Sequence, residues 1–150
     1  MKRDYDSVYQ QLAALLEGED DPVVRMAEMA AVLQERFDFW WTGFYRVTPL
    51  PDGRCELLLG PFQGPVACIH IPYGKGVCGT AWARMATVVV PDVEQFPGHI
   101  ACSSESRSEI VVPVFDGTGK VKAVLDIDSR ELAAFSDDDV PGLEKMVSLL

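Results

Sequence analysis

Two apolar runs rich in β-branched residues, 108–115 and 121–127, are separated by little more than Asp116-Gly117-Thr118-Gly119. Glycines beside an Asp supply the positive-φ positions a tight turn needs, so the two runs read as neighbouring strands of a hairpin. That pairing constrains the fold more than any other feature. Strands joined so closely must be antiparallel, because a parallel pair needs a crossover of a dozen residues or more. A second hairpin is expected from the aromatic-rich run 39–47, the turn residues 49–53 and the run 55–59. Shorter strands are expected near 67–71 and 87–90.

Helices bracket these strands. Tyr5, Val8, Leu12, Leu15 and Leu16 recur at three- and four-residue steps, and Gly18 ends the run. Asp21-Pro22 opens a second helix as cap and first helical residue, with Val23, Met26, Ala27, Ala30, Leu33 and Phe37 on its apolar face. A short helix is expected after Gly79. Ser136 caps a last helix, with Asp139 completing a partial capping box. The expected architecture is a single α+β domain over residues 1–150. In it an antiparallel sheet carries helices to one side, flanked by N- and C-terminal helices.

Composition narrows the function classes. A chain of 150 residues that is 48% hydrophobic can bury a core without disulfide staples. Its longest apolar stretches fall well short of the ~20 residues that span a bilayer, so no membrane partner is expected. A net charge of −10, with no basic cluster to offset it, argues against nucleic acid, whose phosphates need a basic face. Met1-Lys2-Arg3 is followed by Asp4 and Asp6 rather than an apolar run, so no signal peptide is read and a cytoplasmic location is expected. Four cysteines in such a chain then read as buried thiols, metal ligands or redox groups rather than a disulfide framework.

Gly74-Lys75-Gly76-Val77-Cys78-Gly79 matches G-x-G-x-x-G, and Glu94 follows at the right distance for a dinucleotide fingerprint. Too few residues separate Gly79 from the strand at Thr87 for a crossover helix, and no second βαβ unit follows. Lys75 is followed by Gly76 rather than Ser or Thr, so a P-loop fails too. The better reading is a tight turn whose backbone N–H groups can meet an anion. The long polar segment 91–107 carries Phe96-Pro97-Gly98-His99 and Cys102, and a loop of that length inside a compact domain is commonly functional. Cys68, Cys78 and Cys102, with His70 and His99, could be imagined around zinc. Yet no C-x-x-C knuckle is present, and Cys68 and His70 are expected two apart on one strand. Buried inert thiols and a pair of loop thiols alternating between thiol and disulfide remain as readings. Cys55, on a hairpin strand, is expected to have no role.

Carboxylates form the second unusual feature. Asp126 and Asp128 share one face of their strand by alternation, and Glu109 enters the partner strand at the same end. Three acids meeting there would repel unless they met a cation or shared a proton. Trp41 and Tyr45 share a face four residues apart, and Gly43 between them is expected to leave room beside the rings for a small ligand.

The chain carries four distinctive runs: Gly74-Lys75-Gly76-Val77-Cys78-Gly79-Thr80, Phe96-Pro97-Gly98-His99-Ile100-Ala101-Cys102, Ser108-Glu109-Ile110-Val111-Val112-Pro113 and Leu125-Asp126-Ile127-Asp128-Ser129. Together they resemble the free methionine-(R)-sulfoxide reductases, which are GAF-domain enzymes. The resemblance runs from about Trp41 to Asp139. It implies Cys102 as nucleophile and Cys68 as resolving thiol, with a Cys68–Cys102 disulfide formed during turnover. Cys78 is the third family cysteine, and whether it or Cys102 attacks stays open. Glu109, Asp126 and Asp128 match the family's substrate-binding acids, and Trp41 and Tyr45 its aromatic wall. Ser103 stands where an acid is common, and Lys122 where a glycine is common. The resemblance further implies free methionine (R)-sulfoxide as substrate, a thioredoxin-type dithiol as reductant, no metal or organic cofactor, and terminal helices through which a homodimer could pair. The rival reading is a GAF sensor module that binds a small molecule and does no chemistry.

Overall fold

A computed structural model describes residues 2–100 and 105–150, so Ala101, Cys102, Ser103 and Ser104 lie outside the described residues. The chain begins with two helices. α1 spans Tyr5–Leu15, and the Asp4 carboxylate accepts from the Ser7 N–H before its first turn. α2 spans Pro22–Phe37, with Asp21 accepting from the N–H groups of Val23 and Val24 and Asp38 ending it in the left-handed region. These are the caps the sequence signals require.

Strands β1 (Trp41–Pro49) and β2 (Cys55–Gln63) form the first hairpin, and β3 (His70–Pro72) adds to its outer edge. α3 covers Gly76–Arg84 and β4 covers Val88–Val90. A 3₁₀ turn at Val93–Gln95 interrupts the long connection to β5 (Ser108–Phe115), which pairs with β6 (Val121–Ser129). A second 3₁₀ turn, Asp137–Asp139, leads into α4 (Val140–Val147). The sheet order is β3-β2-β1-β6-β5-β4, with antiparallel neighbours throughout. No described helix is long and apolar enough to cross a membrane.

Each face of the sheet is covered by a different set of elements. On one face Phe44, Ile110, Val112, Ala123, Leu125 and Ile127 pack against α1, α2 and α4. On the other, Tyr45, Val111 and Val124 pack against α3 through Val77, Cys78 and Ala81. The expectation of helices on one side alone is therefore corrected: α3 and the connection beyond β4, through Val93, Phe96 and Ile100, close the second face. This two-sided cover explains β5, in which every residue but Phe115 is buried. A strand buried on both faces cannot show the alternation of a half-solvated one.

Three boundaries differ from the expected ones. β3 begins at His70, leaving Cys68 in the preceding loop rather than on a strand. β2 runs on to Gln63. α3 begins at Gly76, inside the glycine run and not after it, with Gly74 and Gly76 at φ +73° and +63° turning the chain into the helix. Apolar Val77 and Ala81 give that first turn a buried face, which outweighs the weak helix propensity of glycine.

Candidate active site

The second face carries a pocket with about 570 Å³ of atom-free space, its open mouth included. Its floor is the sheet. Alternation along β6 brings Asp126 and Asp128 to this face, and register sets Glu109 of β5 opposite Asp128 and Val111 opposite Asp126. β1 lies on their other side, with Trp41 opposite Asp128 and Gly43 opposite Asp126. Glu109 and Asp126 are buried, 5% and 6% exposed, and Asp128 is half-buried.

Burial dominates the electrostatics here. It pushes the Glu109 carboxyl well above the usual carboxylate range, and the neighbouring charges of Asp126 and Asp128 push it further. Asp128 is raised in the same way, while Ser106 Oγ–H donates to its Oδ1 at 2.9 Å and works against the rise. Asp126 is raised by burial too. Its rise is opposed by the Glu109 and Asp128 carboxyls, the Cys78 thiol and the His99 ring. With all three carboxyls raised, the cluster shares protons rather than carrying three full charges. Asp126 Oδ1 is buried with no hydrogen-bond partner among the described residues. A buried carboxylate oxygen in that state awaits a proton donor or a cation.

The aromatic wall comes from β1. Trp41 Nε1–H donates to the Pro65 carbonyl at 3.0 Å, and Tyr45 O–H donates to the Cys68 carbonyl at 2.9 Å. The rings of Trp41 and Tyr45 stack with centroids 6.0 Å apart, and Phe62 stacks on Trp41 at 5.2 Å. Gly43 does not leave the room expected of it. A Cβ there would stand 2.3 Å from Phe62 Cβ and 2.6 Å from the Trp41 ring, so the glycine makes way for protein rather than ligand.

The roof is α3 and the connection beyond it. Gly76, Val77 and Cys78 line the pocket, and Lys75 at the N-cap provides no side-chain hydrogen bond. Gly79 is the first residue of the helix whose N–H reaches a carbonyl, that of Lys75 at 2.9 Å. Among the described residues the three N–H groups before it have no carbonyl partner and can meet an anion. Ile100 packs over Gly76, and His99 Nε2 stands 3.8 Å from Glu109 Oε1. Burial lowers the His99 pKa, with the Asp126 charge acting against the shift.

The structure thus brings Trp41, Tyr45, Cys78, Glu109, Asp126 and Asp128 to one pocket. Cys68 borders it through the carbonyl held by Tyr45. Cys102 lies outside the described residues. Cys78 is buried, and desolvation with three acids nearby raises its thiol well above the usual range, so it stays protonated at neutral pH. His70 does not join the other cysteine and histidine side chains; its ring pairs with Glu56 at 2.6 Å on the exposed sheet edge. Ser106 and His99 are site residues that strand alternation could not reveal, since an irregular connection places them. The conjunction of His99 with Phe96-Pro97-Gly98 in a long loop was the available signal.

A profile of the GAF domain matches residues 21–150. GAF domain-containing protein A of Dictyostelium discoideum is 48% identical over 146 residues, covering 97% of this chain and 89% of that protein. The free methionine-R-sulfoxide reductase of Escherichia coli (strain K12) is 44% identical over 147 residues, covering 97% and 86%. Among solved structures, the free methionine-R-sulfoxide reductase of Neisseria meningitidis in complex with its substrate superposes with a TM-score of 0.91 at 50% identity, covering 97% of this chain and 84% of that one.

Proposed function

The chain belongs to the GAF-domain family of free methionine-(R)-sulfoxide reductases, and we propose that it reduces free methionine (R)-sulfoxide with thiols of its own. The observation that carries the reading is the unpartnered Asp126 oxygen at the floor of an aromatic-walled pocket. A free amino acid supplies what that oxygen lacks. Its ammonium meets the Asp126 carboxyl, with Glu109 and Asp128 beside it. Its carboxylate meets the uncapped start of α3. Its methyl group lies against Trp41 and Tyr45. Within a peptide the same residue offers amides in place of both charges. The buried carboxylate would then stay unpaired, and peptide substrates are excluded.

In the proposed chemistry the Cys102 thiolate attacks the sulfoxide sulfur. A protonated carboxyl of the cluster, Glu109 foremost, delivers a proton to the sulfoxide oxygen. The sulfoxide sulfur gains two electrons and leaves as methionine, and the Cys102 sulfur takes the oxygen as a sulfenic acid. The Cys68 thiol condenses with it, forming a disulfide and releasing water. A thioredoxin-type dithiol then returns both to thiols and is itself oxidised to a disulfide. Supporting Cys68 as a redox thiol, it is disulfide-bonded whereas Cys55 and Cys78 are free. The raised Cys78 thiol is also a poor nucleophile, because the thiolate is the reactive form.

The test is methionine release from separated R and S diastereomers of free methionine sulfoxide, with dithiothreitol as reductant. Turnover of the R form alone is expected. Folded, fully reduced protein that releases no methionine from either diastereomer would overturn the reading in favour of a ligand-binding sensor.

A further inference from the structure

Where roof and floor meet, the pocket holds a donor atom that an ammonium does not require. Cys78 Sγ, a Glu109 oxygen and an Asp126 oxygen all lie within 4.8 Å of one another. The three residues are 4%, 5% and 6% exposed, and they come from α3, β5 and β6. Asp126 Oδ1 is buried with no donor among the described residues, so the set includes an oxygen lacking a partner there. His99 Nε2 stands 3.8 Å from Glu109 Oε1, at the edge of this set rather than within it. Sequence spacing argues against zinc because ligands of short motifs lie close along the chain. Here they are distant in sequence, and the sheet register and the start of α3 bring them together.

We propose that Cys78, Glu109 and Asp126 bind a divalent cation of the zinc class, leaving its fourth position open. The element choice follows from the donors. A thiolate with two carboxylates suits zinc, whereas magnesium and calcium take shells of oxygen alone. Zn–S and Zn–O bonds of ordinary length set tetrahedral ligand atoms about 3.4–3.6 Å apart, so the side chains need close on the ion by only about an ångström. The ion would stand where the Asp126 oxygen is otherwise left for the substrate's ammonium, so metal and amino acid exclude each other. That competition rests on the proposed reductase reading; the metal site itself does not. Cys78 thereby gains a role that turnover through Cys102 and Cys68 leaves it without.

Reduced full-length protein titrated with cobalt(II) alone tests the site by absorbance. The expected result is a thiolate-to-cobalt charge-transfer band and four-coordinate d–d bands that saturate at one ion per chain and collapse on adding zinc. Cys102→Ser keeps the band and Cys78→Ser loses it. Losing an outer-sphere partner of a metal ligand typically costs about 10–100-fold in affinity, so Asp126→Asn, which removes a ligand charge, is expected to weaken binding by about 100-fold or more. Glu109→Gln keeps the side-chain volume and, by the same measure, serves should Cys78→Ser fail to fold. A band that survives Cys78→Ser, or one that Cys102→Ser removes, overturns the proposal. Free methionine is expected to raise the cobalt concentration needed for half-saturation. If the band forms but methionine leaves it unmoved, the ammonium placement fails and the metal site stands.

Discussion

Asp126 shows how much one residue's surroundings decide. An aspartate on a strand face ordinarily meets water, but here β5, β1 and α3 enclose it, and the Glu109 and Asp128 carboxyls, the Cys78 thiol and the His99 ring face it. Asp126→Asn keeps the shape and removes the charge. A hydrogen bond to a charged group is worth about 1.5–3 kcal/mol, so KM for free methionine sulfoxide is expected to rise about 10- to 100-fold. Steady-state assays check this, and an unchanged KM would remove Asp126 from ammonium binding. Cys102→Ser is expected to abolish methionine release altogether; substantial residual turnover would shift the attack to Cys78. Gly43→Ala tests packing rather than charge. Its methyl would collide with Phe62 and Trp41, and overpacking of this kind typically costs about 1–3 kcal/mol, which urea unfolding would register. The face shared by Trp41 and Tyr45, and by Asp126 and Asp128, was legible because strand side chains alternate strictly. Alternation says which way a residue points and nothing about what fills the space beside it, so Gly43 was misread.

Elements were legible where their ends carry chemistry. Asp21-Pro22 and Ser136 mark their helices because side-chain oxygens take up orphan N–H groups, and the structure shows both caps in use. The start of α3 was misplaced because no side chain caps it; turn glycines and burial set it instead. That lack of a cap is what leaves N–H groups facing the pocket. Asp139 joins elements far apart in the chain. It accepts from Tyr5 O–H at 2.7 Å, Arg3 Nη1 at 2.8 Å and the Ser136 N–H at 2.9 Å, locking the start of α1 to the turn before α4. Asp139→Ala would orphan a buried phenol and a backbone donor, and a loss of about 3 kcal/mol is expected in urea unfolding. A change below about 0.5 kcal/mol would mean that the helices hold without this clasp.

At the scale of the molecule, the buried acids tie stability to pH. Glu109 has a reference pKa of 4.5 in the unfolded chain and a value well above it when folded. Above the reference value the native state therefore binds more protons than the unfolded one, and stability falls as pH rises. The contribution is complete below pH 4.5 and disappears as pH passes through the raised folded pKa. Glu109→Gln stays neutral, so the reduced, ligand-free variant is expected to lose less stability than the parent between acid and neutral pH. Parallel slopes in urea unfolding across that range would contradict the burial argument. The overall fold was legible because two hairpins leave few alternatives to an antiparallel sheet. The closing of its second face was not, because α3 and the connection beyond β4 carry weak local signals. The β5–β6 hairpin serves both faces at once, with Ile110, Val112 and Leu125 toward the helices and Glu109, Asp126 and Asp128 toward the pocket. A slip of one residue would exchange the two sets and drive three acids into an oily layer. In descent, then, this hairpin can drift freely in the identity of its apolar residues but scarcely in its length. Lineages of such proteins should record insertions at the Gly117–Gly119 bend and almost none within the strands.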